Sequence, residues 1–131
     1  MPNIRDLAAY LTNIDTGVDP DSYSSTTITG DEIDAQNYAG GKAIFTVAVG
    51  NMNAGVTVDM KVQDCATSGG TFADIAGAAI TQMTQVGGDN DTQAILEVAI
   101  VVGRPFLKVI MAAIGASDVC VTGFLYNARA K

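Results

Sequence analysis

From Val56 to Gln63 apolar and polar residues alternate at every position, with Val56, Val58, Met60 and Val62 set against Thr57, Asp59, Lys61 and Gln63. Successive side chains on a strand point to opposite faces, so this run predicts a β-strand with one face in a core and one in water. A turn-rich break, Asp64 to Phe72, follows, the pattern restarts over Phe72 to Ile75, and Ala79 to Met83 reads as a further strand piece. Upstream, Ser24 to Thr29 is rich in β-branched residues and predicts an edge strand, Ile33 opens a short segment, and Lys42 to Val49 predicts another strand. From Ile44 on, that strand is too apolar for one-sided exposure to water. Downstream, Gln93 to Val102, Phe106 to Ala112 and Val119 to Tyr126 read as strands, parted by Gly103-Arg104-Pro105 and by Ile114 to Asp118. Short strands with turn signals every ten or so residues predict an all-β fold, an antiparallel β-sandwich or jelly-roll-like arrangement of six to seven core strands.

The first twenty-one residues follow a different rhythm. Ile4, Leu7, Ala8 and Leu11 recur at helical spacing, and Gly17 and Pro20 end the run. The chain therefore divides into an N-terminal arm, residues 1–21, holding a short helix, and a β-sandwich domain, residues 22–131. A helix of two to three turns is marginal alone and needs a surface, on its own sandwich or on another subunit.

Composition narrows the partners. Fourteen acidic and seven basic residues give a net charge of −7. An acidic surface repels phosphate, which argues against nucleic acid and against an anionic membrane surface. Charged residues are only 16% of the chain, below the usual level of about 25%. Much of the surface must then be small and neutral, which suits a protein packed against other subunits, or a chain merely rich in Ala and Gly. No run approaches the ~18 apolar residues of a membrane span, and Met1 to Leu11 lacks the pattern of a secretory signal. Cys65, in a polar loop, and Cys120, in an apolar strand, read as free thiols of a reducing cytoplasm.

Candidate chemistry is sparse. The chain has no histidine, which removes the Ser-His-Asp and Cys-His systems and most catalytic zinc sites. A paired-carboxylate hydrolase needs two acids facing across a cleft, whereas the acids here fall mainly in predicted loops and no tryptophan walls a sugar site. Asp89-Asn90-Asp91 lacks the spacing of a calcium loop and reads as a solvated hairpin tip, as do Asp19 and Asp21. Tyr38 to Lys42 lacks a phosphate-binding glycine pattern and reads as a turn. The expectation is a protein that is not an enzyme and uses no cofactor or metal. Arg104, a rare positive charge in apolar sequence, is either a hairpin-tip charge or an anchor for a partner carboxylate. With Ile4, Leu7 and Leu11 of the arm, it completes the candidate partner-binding residues.

The unit VTVDMKVQDCATSGGTFADIAGAAI, with its Lys-x-Gln-Asp step, polar loop and Thr-Phe-x-Asp-Ile return, resembles small structural proteins of tailed bacteriophages. Asp34 to Tyr38 resembles the entry to a first core strand in such proteins, Gly103 to Ile110 a penultimate strand, and Val119 to Tyr126 a last one, so the likeness spans residues 33 to 127. It implies a virion protein made in the host cytoplasm, most like a capsid decoration (cement) protein on the outer head surface. Its partner would be the major capsid protein, and a homo-oligomer, a trimer on local three-fold axes, would stabilise the expanded shell. A tail-tube, head–tail joining or fibre-base component is the alternative, and a carbohydrate-binding module a more distant one. The polar face Thr57, Asp59, Lys61 and Gln63 is left open between subunit contact and solvent.

Overall fold

The computed structural model describes residues 11–23, 26–50, 52, 55–84, 92–114 and 117–126. Eleven strands occur there: β1 (Leu11–Ile14), β2 (Asp21–Tyr23), β3 (Thr26–Thr29), β4 (Ile33–Asp34), β5 (Lys42–Gly50), β6 (Thr57–Cys65), β7 (Ala73–Ala79), β8 (Met83–Thr84), β9 (Thr92–Ala99), β10 (Phe106–Ile114) and β11 (Ser117–Tyr126). Every pairing is antiparallel. One sheet, here the first, runs β1-β11-β5-β9, with β2 also on β11; the second runs β3-β10-β6-β7, with β4 on β10 and β8 on β6.

Three pairs of short strands each share one neighbour, so β1 with β2, β3 with β4 and β7 with β8 act as single interrupted strands. Counted this way there are eight strand positions, ordered 1-8-3-6 in one sheet and 2-7-4-5 in the other. The chain changes sheet at each step except from the fourth position to the fifth. That is the order of a jelly roll, two Greek keys folded into a double sheet. The all-β sandwich expected from the strand spacing is the fold of this chain, with eight positions rather than six or seven.

The alternating run becomes β6, with Val58, Met60 and Val62 at most 2% exposed. Beside them in the same sheet lie Leu107, Val109 and Met111 of β10, and facing them from the other sheet are Phe45 and Val47 of β5, Val98 of β9, and Val121 and Leu125 of β11, all in one buried cluster. Gly123 sits opposite Phe45 in the ladder. A Cβ there would come within 3.0 Å of the Ile14 side chain and 3.1 Å of the Phe45 ring, so glycine makes room for two core residues.

Leu11 stands in a strand, not in a helix. β1 pairs along Leu11 to Ile14 with Tyr126 to Gly123, and the backbone bonds offered by the edge of β11 outweigh a weak helical pattern. Thr16 and Val18 are buried, so residues 11–21 run on the sandwich itself. Ile4, Leu7 and Ala8 lie outside the described residues. The Gln93 to Val102 run also ends earlier than its pattern predicts, because Ile100 leaves the ladder to bond with Gly40 and Gly41.

Candidate interaction surface

The two sheets present different outer faces. On the second sheet, the polar side chains of β6 are tied to neighbouring segments of the same chain. Lys61 Nζ donates to Asp74 Oδ2 at 3.0 Å, Gln63 Nε2 donates to Asp74 Oδ1 at 2.8 Å, and Gln82 Nε2 reaches both Asp59 oxygens. Lys108, next to Gln63 in the ladder, lies 4.4 Å over the Phe72 ring. At the adjacent loop, Ser68 and the Gly69 amide donate to Glu32 at 2.5 and 2.7 Å. These donors favour the charged forms, and both carboxyls titrate below their ordinary range: Glu32 through Ser68 first and then Gly69, Asp74 through Gln63 and then Lys61. Residues Asp59, Lys61 and Gln63 thus form a solvent-side lattice already satisfied within the chain.

The first sheet is unlike this. Its registers align Leu11, Tyr126, Lys42 and Ala99 in one cross-strand row and Asn13, Phe124, Ile44 and Glu97 in the next. Thr122, Thr46 and Ile95 form a third row, and Cys120, Ala48 and Gln93 a fourth. Paired residues share a face, and the opposite face carries the buried Phe45, Val47, Leu96 and Val98, so these rows point outward. Leu11, Ile44, Phe124 and Tyr126 remain partly exposed, and Ile95 is 75% exposed. The charges of the first two rows, Lys42 and Glu97, pair with each other at 3.4 Å. The result is a partly apolar, locally neutral face on an acidic protein, its apolar side chains set among Asn13, Thr46, Thr122 and Gln93. Towards its far end an open hollow of about 670 Å³ is lined by Pro20, Ser22, Ala48, Gln93, Asp118 and Cys120.

Of the partner-binding candidates, Leu11 falls at the edge of this apolar face, beside Tyr126. Arg104 does not: its Nε donates to Asp64 Oδ1 at 2.6 Å and its Nη2 to the Asp64 carbonyl at 2.8 Å. Asp64 is 6% exposed, so Arg104 anchors the loop before β10 to the end of β6, and the carboxylate it meets is in its own chain. Ile4 and Leu7 lie outside the described residues, as does the Asp89 to Asp91 cluster. Ile44, Ile95, Phe124 and Tyr126 escaped the sequence reading as surface candidates. The excess apolar character of the Ile44 to Val49 strand was their only signal, and which strands flank it depends on topology. Cys65 and Cys120 are free thiols. Among the described residues no cluster of His, Cys, Asp or Glu side chains could hold a metal ion, and no helix is long and apolar enough to cross a membrane. No family model and no curated protein matches the chain.

Proposed function

We propose that the protein is a structural protein acting through surface association, a decoration protein that binds the outer surface of a phage head by the apolar face of its first sheet. The observation that carries this reading is the contrast between the sheets. One outer face closes its polar groups on itself, while the other keeps Ile44, Ile95, Phe124 and Tyr126 in contact with water. Apolar surface gains free energy when another surface covers it, and contiguous apolar patches mark interaction sites. The identity of the particle rests on the sequence resemblance over residues 33 to 127. A net charge of −7 suits a position outside the shell, away from packaged DNA.

The test mixes the purified protein with expanded heads that lack it and measures bound copies after sedimentation. Saturable binding at many copies per head supports the reading, provided that Ile44→Lys and Phe124→Lys abolish it while circular dichroism shows the sandwich intact. Binding unaffected by both changes would move the contact elsewhere, and no binding to heads would remove the capsid role.

A further inference from the structure

A two-sheet sandwich has four edges, and an exposed edge is a row of unpaired backbone donors and acceptors. Three of the four are blunted here. The β1/β2 edge is split into pieces of four and three residues. The β3/β4 edge is split into four and two, with a register shift on β10. The β7/β8 edge carries a register shift opposite Lys61 to Gln63, with Gly77 at φ 77° inside it. β9 is different. It runs eight residues, its pairing with β5 is unbroken from Thr92 to Ala99, and among the described residues no strand pairs with its other side. It has no proline, no lysine and one charge, Glu97, already paired with Lys42. A hollow of about 570 Å³, lined by residues 79–84 and 93–96, lies alongside it.

We infer that β9 is a pairing edge, and that its occupant is β9 of a second copy of this chain, joined antiparallel about a two-fold axis at Ile95. The register follows from chemistry. Outward residues must meet outward residues across a two-fold axis normal to the sheet, which leaves only registers pairing positions of equal parity. Placing Ile95 opposite its own copy also sets Gln93 against Glu97 and Ala94 against Leu96. Apolar groups then meet apolar ones from Ala94 to Leu96, each Val98 meets a Thr92, and each carboxylate meets an amide. The register centred on Glu97 would oppose two carboxylates directly, which destabilises a strand pair. Elsewhere two copies of a chain at −7 repel, whereas this edge is neutral once Lys42 is counted. The product is a closed isologous dimer in which the two first sheets fuse into one continuous sheet. This pairing is independent of any capsid role and stands in place of the trimer expected from capsid symmetry.

Sedimentation equilibrium of the full chain over a micromolar range tests it. A monomer–dimer equilibrium is expected, and Ile95→Lys, which sets two ammonium groups face to face, should raise the dissociation constant about tenfold or more. Ile95→Glu should do the same, and an equal mixture of the two variants should recover a heterodimer. A cysteine at the axis gives a second readout, since opposed Cα atoms about 4.5–5.5 Å apart lie within disulfide range. Ile95→Cys should therefore form an interchain disulfide on mild oxidation, and Thr46→Cys, one strand inward, should not. A chain that is monomeric throughout, a trimer, or a dimer indifferent to Ile95→Lys would overturn the inference. So would equal cross-linking at positions 46 and 95.

Discussion

Replacing Arg104 with alanine would strip the nearly buried Asp64 carboxylate of its cation and release the Asp64 carbonyl as well. The magnitude lies between two limits. Breaking a fully buried ion pair costs about 3–5 kcal/mol, and an exposed pair is worth about 0.2–1 kcal/mol. Here the Asp64 side chain is 8% exposed but that of Arg104 is 40% exposed, so water can reach the vacated site and the cost falls at about 2 kcal/mol. With about 2.1 cal/mol/K of unfolding entropy per residue, a chain of 131 residues should lose about 7 °C of melting temperature. Urea unfolding followed by circular dichroism gives the free energy directly. A double-mutant cycle with Asp64→Ala isolates the Nε–Oδ1 bond, because the carbonyl bond survives that change, and the coupling should be about 1 kcal/mol or more. A loss under about 0.5 kcal/mol for Arg104→Ala, with coupling near zero, would refute a structural role for the pair.

Val58→Asp would place an unpaired carboxylate in the core and should cost several kcal/mol, on the order of 3–5, whereas Lys61→Ala, which breaks one exposed pair, should cost under about 1 kcal/mol; the same unfolding assay compares them. Gly123→Val should destabilise by about 1–3 kcal/mol, because the new side chain must displace Ile14 and Phe45; an unchanged unfolding midpoint would mean that both residues shift freely. Glu32 and Asp74 have lowered pKa values in the folded state, so each adds stability that is present above its unfolded pKa and lost as pH falls through the folded one. Melting temperature should therefore drop as the pH falls below about 4, and Glu32→Gln together with Asp74→Asn should flatten that part of the curve.

Strand identity was legible wherever burial alternates, because a period of two is written in the residues themselves. β6 and the later strands β9, β10 and β11 lie within a few residues of their predicted bounds. The errors came where long-range bonds compete with local pattern. Leu11 carries a helical spacing but takes the edge of β11, and Ile100 continues an apolar run but leaves β9 to bond with Gly40 and Gly41. Arg104 shows the same limit in the candidate site, since its partner Asp64 lies forty residues away and only the sheet brings them together.

The residues alone determined that this chain is an all-β sandwich with an acidic surface and no histidine chemistry, because periodicity, charge and composition are local properties. Only the tertiary structure decided which faces and edges matter. Registers between β11, β5 and β9 gather Phe124, Ile44 and Ile95 into one outer patch, and the neighbours of each strand determine which edges are broken and which is left whole. A strand's own sequence shows that it has two faces. What lies beside it, and therefore which backbone groups and apolar side chains stay open to a partner, is a property of the assembled sheets.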